Sequence, residues 1–344
     1  MTRSRTTLTY EIVRLDLRHT WTLSRGSSDI KENVLVRLER DGIIGYGEAA
    51  PNVRYNETPE STMALIEKAI PLFQESDLRH FIDLGYSIQR LDRAQTAAKA
   101  GLDIALMDWV AKSVGIPFYQ YLGLDEAQTP VTSYSIGIDT PDRIRQKVLE
   151  AEPYPILKIK LGQEDDESII NAVRSVTDKP LLVDANEGWK DKHRALEKIS
   201  WLASKGVDLI EQPMPASMPD ETSWLRERVD IPLIADESVR TAADIPELSR
   251  AFDGINIKLM KAGGLQEALR MIWLARAMDL KVMLGCMVET SVAISAAASL
   301  SPLADYADLD GNLLITNDPF TGVTLDQGKL ILSSSPGIGV APKS

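Results

Sequence analysis

The first third of the chain has the apolar spacing of strands and then of helices. Residues 7–17 and 33–39 are rich in β-branched and apolar side chains, which is typical of strands. The dipeptide Asp41-Gly42 predicts a tight hairpin turn that leads into a further strand at 43–49. Apolar residues then recur at helical spacing in two longer segments. These helices are predicted at 58–75 and 93–114.

Beyond residue 130, short apolar runs recur about every 25 residues, with helical stretches between them. Strands that alternate with helices indicate a parallel sheet, and eight evenly spaced runs favour a barrel over an open doubly wound sheet. No glycine-rich phosphate fingerprint follows the first run, as many doubly wound nucleotide-binding sheets would require. The runs are 131–138, 156–162, 181–186, 209–213, 233–238, 254–260, 282–287 and 305–311.

Charge and composition exclude several classes of partner. The net charge of −12 argues against nucleic acids and anionic membranes, because both attract clustered positive charge. No signal-peptide core and no run of about 20 apolar residues occurs, so we expect no membrane span. The single cysteine, Cys286, excludes an intrachain disulfide and favours a reducing compartment, so we expect a cytoplasmic protein. The sequence leaves the oligomeric state open, a homo-oligomer included.

Three acidic residues end successive predicted strands: Asp184, Glu211 and Asp236. Parallel barrel strands all point the same way, so these carboxylates should converge at the mouth where barrel active sites lie. Each could instead cap a helix or pair with a surface lysine. Three carboxylates in one cleft would repel one another unless a cation neutralised them. An all-oxygen ligand set suits Mg²⁺ best, with Mn²⁺ as an alternative.

Three lysines lie inside predicted strands, where a buried charge is costly unless it is paired or functional. Lys158 and Lys160 are two apart in the second run, so they share a strand face about 7 Å apart. Lys258 lies in the sixth run, across the barrel from the second. The alternative is that these side chains extend along the barrel rim to reach water.

Such lysines could exchange a proton beside a carboxylate, which requires a base and a stabilised enolate. A lysine with the ordinary pKa of about 10.4 becomes a base near neutrality at a cost of about 4 kcal/mol. A second ammonium about 7 Å away supplies roughly 2.4 kcal/mol of this at an effective dielectric near 20. Lys158 could therefore tune Lys160 and also bind the substrate carboxylate. Lys160 and Lys258 would then face opposite sides of one carbon atom.

These residues occur in short motifs that resemble the enolase superfamily and, within it, the muconate-lactonizing subgroup. The resemblance covers essentially the whole chain, and it implies an α/β fold: a TIM-type (β/α)7β barrel with an α+β capping domain. The motifs are YGEAAP at 46–51, KIK at 158–160, DAN at 184–186, EQP at 211–213, ADES at 235–238 and NIKLMKAGGL at 256–265. We expect the capping domain at 1–128, the barrel with the catalytic site at 129–317 and a C-terminal segment returning to the capping domain at 318–344.

The resemblance also implies roles for the residues named above. The three strand-end carboxylates would bind Mg²⁺, and Lys160 and Lys258 would be the acid/base pair. Lys261 is the rival for the second lysine, but the match runs through the NIK triplet that ends at Lys258. Ser135 and Glu289 are weaker candidates for substrate contact, because they lie at or just beyond the ends of the first and seventh runs.

Two further features favour one reaction of this subgroup, the epimerisation of dipeptides. Asp308 and Asp310 in the eighth run resemble the Asp-x-Asp that binds the free α-amino group in dipeptide epimerases. Arg25, in the predicted loop 23–33, falls where L-Ala-D/L-Glu epimerases carry an arginine for the distal carboxylate, and Lys31 competes for that role. The alternatives are an o-succinylbenzoate synthase, a muconate cycloisomerase and a non-catalytic small-molecule binder.

Overall fold

A three-stranded antiparallel sheet begins the computed structural model, which describes residues 6–23 and 26–343. Its strands are β1 (Thr7–Leu23), β2 (Gly26–Arg40) and β3 (Ile43–Ala49), in the order β1-β2-β3. The predicted hairpin turn is confirmed, because Asp41 and Gly42 join β2 to β3 with φ of 56° and 76°. Backbone angles of this sign at both central positions match the right-handed twist of the strands.

The hairpin of β1 and β2 is longer than the sequence predicts. Its pairing extends to Leu23 opposite Gly26, with a register shift between Asp16 and Trp21. The prediction of a loop at 23–33 is therefore wrong for the part from Gly26 onward, which is strand. The segment is mostly polar and exposed, so it lacks the alternation of apolar side chains by which a half-buried strand is identified.

Four helices complete the N-terminal region: α1 (Pro59–Glu75), α2 (Phe81–Arg90), α3 (Thr96–Val114) and α4 (Phe118–Tyr121). The predicted helices correspond to α1 and α3, whereas α2 was not predicted. Helix α3 is buried over most of its length and packs directly on β3. Glycine permits this contact, because a Cβ at Gly45 would lie 2.1 Å from the Ala105 carbonyl oxygen.

Eight parallel strands form the barrel and follow one another in chain order. A parallel bridge between Thr132 and Ala307 joins the last strand to the segment before the first, so the sheet is nearly closed. The predicted α/β barrel is confirmed. The strands are β4 (Tyr134–Ile136), β5 (Leu157–Lys160), β6 (Leu181–Asp184), β7 (Val207–Glu211), β8 (Leu233–Ala235), β9 (Gly254–Lys258), β10 (Lys281–Gly285) and β11 (Tyr306–Asp308).

Helices connect each barrel strand to the next, and their apolar faces join one continuous core. In the described part of the chain, no helix combines the length and apolar character needed to cross a membrane. The helices are α5 (Pro141–Glu150), α6 (Asp166–Arg174), α7 (Lys192–Ser204), α8 (Pro219–Arg226), α9 (Ile245–Leu248), α10 (Leu259–Ala262), α11 (Leu265–Ala277) and α12 (Ser291–Ala298).

The C-terminal segment returns to the N-terminal region. The Phe320 ring meets Tyr46 edge-on at 5.1 Å between ring centres, and the Ile338 amide donates to Asp108 Oδ1 at 2.8 Å. These contacts agree with the expected course of the chain, while the three domain boundaries stay a prediction. Four short strands lie in this segment: β12 (Phe320–Thr321), β13 (Thr324–Asp326), β14 (Lys329–Ile331) and β15 (Ala341–Pro342).

One buried carboxylate, Glu48 on β3, ties the N-terminal region to the barrel. Its oxygens accept hydrogen bonds from the Thr290 amide at 2.9 Å and hydroxyl at 2.6 Å, and from the Ala293 amide at 3.1 Å. Asn33 Nδ2 donates to it at 2.7 Å. A carboxylate at the N-terminus of α12 satisfies otherwise unpaired amides and interacts favourably with the helix dipole. The contact therefore holds the N-terminal region against the loop that follows β10.

Candidate active site

Three carboxylates meet at the carboxyl ends of neighbouring barrel strands. Asp184 ends β6 and lies opposite Glu211, the last residue of β7, while Asp236 directly follows β8. One oxygen from each lies within 4.8 Å of the others, and the side chains are 0%, 0% and 2% exposed. The barrel therefore brings these three residues together, as predicted.

Two lysines line the cleft on either side of this trio. Lys160 Nζ lies 2.6 Å from Asp184 Oδ2, and Lys258 Nζ lies 2.8 Å from Asp236 Oδ2. Their strands, β5 and β9, are the second and sixth of the eight, so the two side chains approach from opposite sides of the barrel. Burial lowers the pKa of Lys258, but the Asp236, Glu211 and Asp184 carboxylates together outweigh this effect, and the net pKa is raised.

Lys158 lies beneath the cleft and does not line it. Its ammonium is 0% exposed and contacts Glu211 Oε2 at 2.6 Å, Asp308 Oδ2 at 2.7 Å and Asp184 Oδ2 at 3.6 Å. Burial lowers the pKa of Lys158, but these three carboxylates raise it well above its ordinary value. Lys158 is thus held as an ammonium among three carboxylates, and its predicted direct contact with a substrate stays a prediction.

Lys261, the rival of Lys258, is not part of the cleft lining. Its ammonium donates to both the carboxylate and the backbone oxygen of Asp236, and to the Asn256 carbonyl at 3.1 Å. The side chain is 1% exposed and is absent from the cleft lining, whereas Lys258 is part of it. The geometry therefore favours Lys258 as the lysine that can reach a bound molecule.

The chemistry of this trio suits a hard divalent cation. Burial first, and repulsion by Asp184 second, raise the pKa of Glu211 to about 7. Burial also raises the pKa values of Asp184 and Asp236, but neighbouring lysines outweigh it and lower both. All ligand atoms are oxygens, as Mg²⁺ prefers. Asn186 Nδ2 donates to Asp184 Oδ2 at 3.2 Å, while its buried Oδ1 has no hydrogen-bond partner among the described residues. The residues present therefore fit Mg²⁺.

Two buried amide side chains, Gln212 and Asn256, position these carboxylates, and neither is among the residues predicted from the sequence. Gln212 Oε1 accepts hydrogen bonds from the Asp236 amide at 2.9 Å and the Ser238 amide at 3.1 Å. Asn256 Nδ2 donates to Glu211 Oε1 at 2.8 Å. Gln212 lies in the EQP motif and Asn256 in the NIK motif, and these positions beside the predicted ligands could have indicated their supporting role.

The acidic pair Asp308 and Asp310, at the end of the eighth strand, also lines the cleft. Asp308 is already well bonded, because Ser133 Oγ donates to it at 2.7 Å and Ser135 Oγ at 3.2 Å, besides its contact with Lys158. Asp310 Oδ2 accepts from the Ser135 amide at 2.6 Å. Burial, and then repulsion by Asp308, raise the pKa of Asp310 to about 7. Asp310 is therefore the member of the pair with more capacity for a cationic ligand.

The remaining predicted residues lie in different places. Arg25 falls outside the described residues. Ser135 lines the cleft, whereas Glu289 does not, and its Oε1 accepts from the Met287 amide at 2.9 Å. Burial, and then repulsion by Glu48, raise the pKa of Glu289 to about 8. The assignments of Ser135 and Glu289 to substrate contact stay predictions.

Comparison with known families places both parts of the chain. Residues 6–123 match the family described as mandelate racemase / muconate lactonizing enzyme, N-terminal domain. Residues 142–344 match the family described as enolase C-terminal domain-like. The two matches together cover most of the chain, and each falls on one of the two regions that form the cleft.

Curated proteins of similar sequence span nearly the whole chain. An L-Ala-D/L-Glu epimerase of Bacteroides thetaiotaomicron is 47% identical over 334 residues, which are 97% of this chain and 87% of that protein. An L-Ala-D/L-amino acid epimerase of Pedosphaera parvula is 45% identical and covers 94% of each chain.

Solved structures of similar fold are also dipeptide epimerases. The substrate-liganded L-Ala-D/L-Glu epimerase of Bacillus subtilis superposes with a TM-score of 0.93 at 29% identity, over 98% of both chains. The dipeptide epimerase of Enterococcus faecalis, complexed with Mg and the dipeptide L-Leu-L-Tyr, gives a TM-score of 0.92 at 30% identity, over 99% of this chain and 100% of that one. The chain belongs to the mandelate racemase / muconate lactonizing enzyme family of the enolase superfamily.

Proposed function

We propose that the protein is a magnesium-dependent dipeptide epimerase of the L-Ala-D/L-Glu type, which inverts the α-carbon of the C-terminal residue. The observation that carries this proposal is the opposed pair Lys160 and Lys258, which flank a carboxylate trio from opposite barrel strands. The epimerase names of similar chains support it. The single cysteine, Cys286, supports a cytoplasmic location, because a reducing compartment keeps a lone thiol free.

In this proposal Asp184, Glu211 and Asp236 hold one Mg²⁺. When bound, the ion neutralises the charge that accumulates on the substrate carboxylate as the α-proton leaves. Gln212 and Asn256 keep the ligands in place through the hydrogen bonds to the Asp236 amide and the Glu211 carboxylate. Such supporting contacts commonly matter for metal affinity nearly as much as the ligands.

The proton transfer is assigned to the two lysines. One neutral lysine accepts the α-proton as the C–H bond breaks, and the electron pair moves into the adjacent carboxylate. The other lysine, as an ammonium, donates its proton to the opposite face, so the C–H bond re-forms with inversion and charge is conserved. Lys158 contacts Asp184, Glu211 and Asp308 and holds these carboxylates in place beneath the two lysines.

Substrate orientation is assigned to the acidic pair at the end of β11. A dipeptide has a free α-ammonium, and Asp310 with Asp308 offers a buried acidic partner for it. Neither a muconate nor an o-succinylbenzoate-type substrate carries such a cation, so this pair favours the epimerase over those alternatives. A non-catalytic binder would need the acidic pair but not two opposed lysines.

The test is a dipeptide library incubated with the protein and Mg²⁺ in D₂O. We expect substrates to gain one mass unit at the α-carbon of the C-terminal residue and to yield the epimer, as followed by mass spectrometry and chiral chromatography. A library in which no dipeptide exchanges its α-proton would contradict the proposal. Retained activity on N-acetylated dipeptides would remove the argument from the acidic pair.

A further inference from the structure

The chain segments that follow the two proposed catalytic lysines are held in different ways. After Lys160, the amides of Gly162 and Gln163 donate to Asp166 Oδ1 at 2.9 and 3.0 Å. Asp166 lies on α6, so the barrel itself holds this segment. Lys258 ends β9 and leads directly into the single turn α10 and then into α11. Both of these helices pack against α3, which belongs to the N-terminal region.

Asp103 of α3 caps the longer helix that follows Lys258. The N-cap residue of α11 is Gly264, which has no side chain to satisfy the first amides of the helix. Asp103 supplies the missing acceptor from a distant part of the chain. Its Oδ2 atom accepts from the Gln266 amide at 3.1 Å, and its Oδ1 atom accepts from Gln266 Nε2 at 2.6 Å. A carboxylate at this end of a helix also interacts favourably with the helix dipole.

The residues at this contact fit closely together. Gly264 has a φ of 124°, which favours glycine, and a Cβ there would lie 2.3 Å from Asp103 Oδ2. Asp103 is 1% exposed, and burial raises its pKa to about 6 although hydrogen bonds from Gln266 and Leu265 lower it. A carboxylate buried this deeply requires such donors, because burying a charge without partners is costly. The contact is therefore a specific joint between α3 and α11.

Two further contacts hold the same stretch from the N-terminal region. Gln89 of α2 donates through Nε2 to the Gly263 carbonyl at 2.8 Å. The Ala50 amide, directly after β3, donates to the Met260 sulfur in α10 at 3.2 Å. Since α10 is one turn long and begins at the residue after Lys258, a movement of this turn would move the Lys258 backbone directly.

We infer that Asp103 is a positioning residue for Lys258. It holds the turn between α10 and α11, and so keeps the Lys258 side chain where it can exchange a proton with the substrate. This inference rests on the proposed function. It gives the N-terminal region a part in only one of the two proton transfers, because the segment after Lys160 is held by Asp166 within the barrel.

The test measures α-proton exchange in D₂O by NMR, separately from L-Ala-L-Glu and from L-Ala-D-Glu, in the wild type, Lys258→Met and Asp103→Ala. Lys258→Met identifies the epimer that Lys258 deprotonates, because exchange of that epimer is lost. In Asp103→Ala, exchange of the same epimer should fall about 10- to 100-fold, since a misplacement of about 1 Å can cost about 100-fold. Exchange of the other epimer, which Lys160 deprotonates, should change little.

The ratio of the two exchange rates is the decisive quantity. Both rates are measured on the same protein preparation, so a fraction of unfolded protein lowers both equally and leaves their ratio unchanged. A role of Asp103 in stability alone would therefore not alter the ratio, whereas a role in positioning Lys258 would.

Three variants serve as controls. Asp103→Asn keeps an acceptor oxygen for the Gln266 amide and should restore most of the lost exchange. Gln89→Met removes the contact with the Gly263 carbonyl and should shift the ratio in the same direction by a smaller factor. Asp166→Ala is the matched change on the other side, because it removes the acceptor after Lys160, and it should shift the ratio in the opposite direction.

Equal losses for both epimers in Asp103→Ala, or the same shift in Asp103→Ala as in Asp166→Ala, would overturn the inference while leaving the epimerase proposal in place. If Asp103→Ala yields no folded protein, Gln89→Met decides by the direction of its shift: a shift toward the pattern of Lys258→Met supports the inference, and no shift or the opposite one overturns it. A wild type that exchanges neither epimer would overturn both proposals.

Discussion

The barrel wall of the cleft and the wall formed by the N-terminal region are built in different ways. The barrel wall consists of strand ends whose charged side chains are buried and paired with one another, as Lys160 is with Asp184. The opposite wall is the side of a long hairpin, where Lys31 contacts only a backbone carbonyl among the described residues. The first arrangement fixes charges for chemistry, and the second leaves charge available for a ligand.

This difference suggests that the barrel wall carries the catalytic chemistry and the hairpin wall determines substrate specificity. On the barrel wall, Asp184, Glu211 and Asp308 each contact more than one polar partner, so one change disturbs several contacts. The hairpin wall can change its charge with little effect on the barrel. Variants of the two walls should therefore behave differently: losses on the barrel wall should be large and independent of the dipeptide, and losses on the hairpin wall smaller and dependent on it.

The largest effect should come from the carboxylate trio. Glu211→Gln should lower epimerisation by about 1000-fold or more, since metal-ion catalysis supplies several kcal/mol and each 1.4 kcal/mol is tenfold. The variant should also bind Mg²⁺ more weakly by calorimetry, and EDTA should abolish wild-type activity until Mg²⁺ is returned. Glu197→Gln, on the exposed face of α7, is the matched control. Full activity of exhaustively demetallated protein would refute the metal assignment.

The lysine variants should come next. Lys160→Met and Lys258→Met should each lower epimerisation in both directions by about 10²- to 10⁴-fold, the usual contribution of general acid–base catalysis. Steady-state rates from each epimer would measure this. If Lys258→Met epimerises normally while Lys261→Met does not, the second lysine has been assigned to the wrong residue.

A smaller and uniform loss is expected at the end of the eighth strand. Asp310→Asn should lower kcat/KM about 30-fold or more for every dipeptide, because a buried charge-assisted contact contributes about 2 kcal/mol or more. The ratio between L-Ala-L-Glu and L-Ala-L-Leu should not change. A loss confined to one of these dipeptides would mean that Asp310 discriminates between substrates and does not bind the ammonium that they share.

The smallest effect should arise at Arg25. Arg25→Ala should lower kcat/KM about tenfold for L-Ala-L-Glu and much less for L-Ala-L-Leu, as expected for a partly solvated charge contact. Combining it with Lys31→Met would show whether the two cations act on the same carboxylate. Strictly additive losses would mean that they act independently. Equal losses on both dipeptides would remove Arg25 from recognition of the acidic side chain.

The barrel chemistry could be predicted from the sequence because strand order and strand direction determine where a strand-end residue lies. Asp184, Glu211 and Asp236 each follow an apolar run, and parallel strands bring such positions together whatever the loops do. The alternation of strands and helices could also be predicted directly from the regular spacing of the apolar runs. Strand β2 was missed in part, because a polar, exposed hairpin lacks the pattern of a buried face.

Contacts between distant segments could not be predicted in this way. The sequence places Lys158 and Lys160 on one strand face, but only the packed barrel shows that Lys158 is enclosed by three carboxylates while Lys160 reaches the cleft. The bracing by Gln212 depends on a loop that follows β8, and the isolation of Lys31 depends on which acidic side chains are engaged elsewhere. Such contacts depend on which distant residues the fold brings together, and the pattern of residues along the chain does not contain this information.

The central claim is that two lysines act on opposite faces of one carbon atom, and half-reactions test it most directly. Lys160→Met and Lys258→Met would each be incubated in D₂O with the two epimers of the dipeptide separately, and α-deuterium would be measured by NMR. We predict that each variant exchanges the α-proton of only one epimer, without inversion, and that the two variants exchange opposite epimers. Exchange of the same epimer by both variants, or of both epimers by either one, would contradict the account.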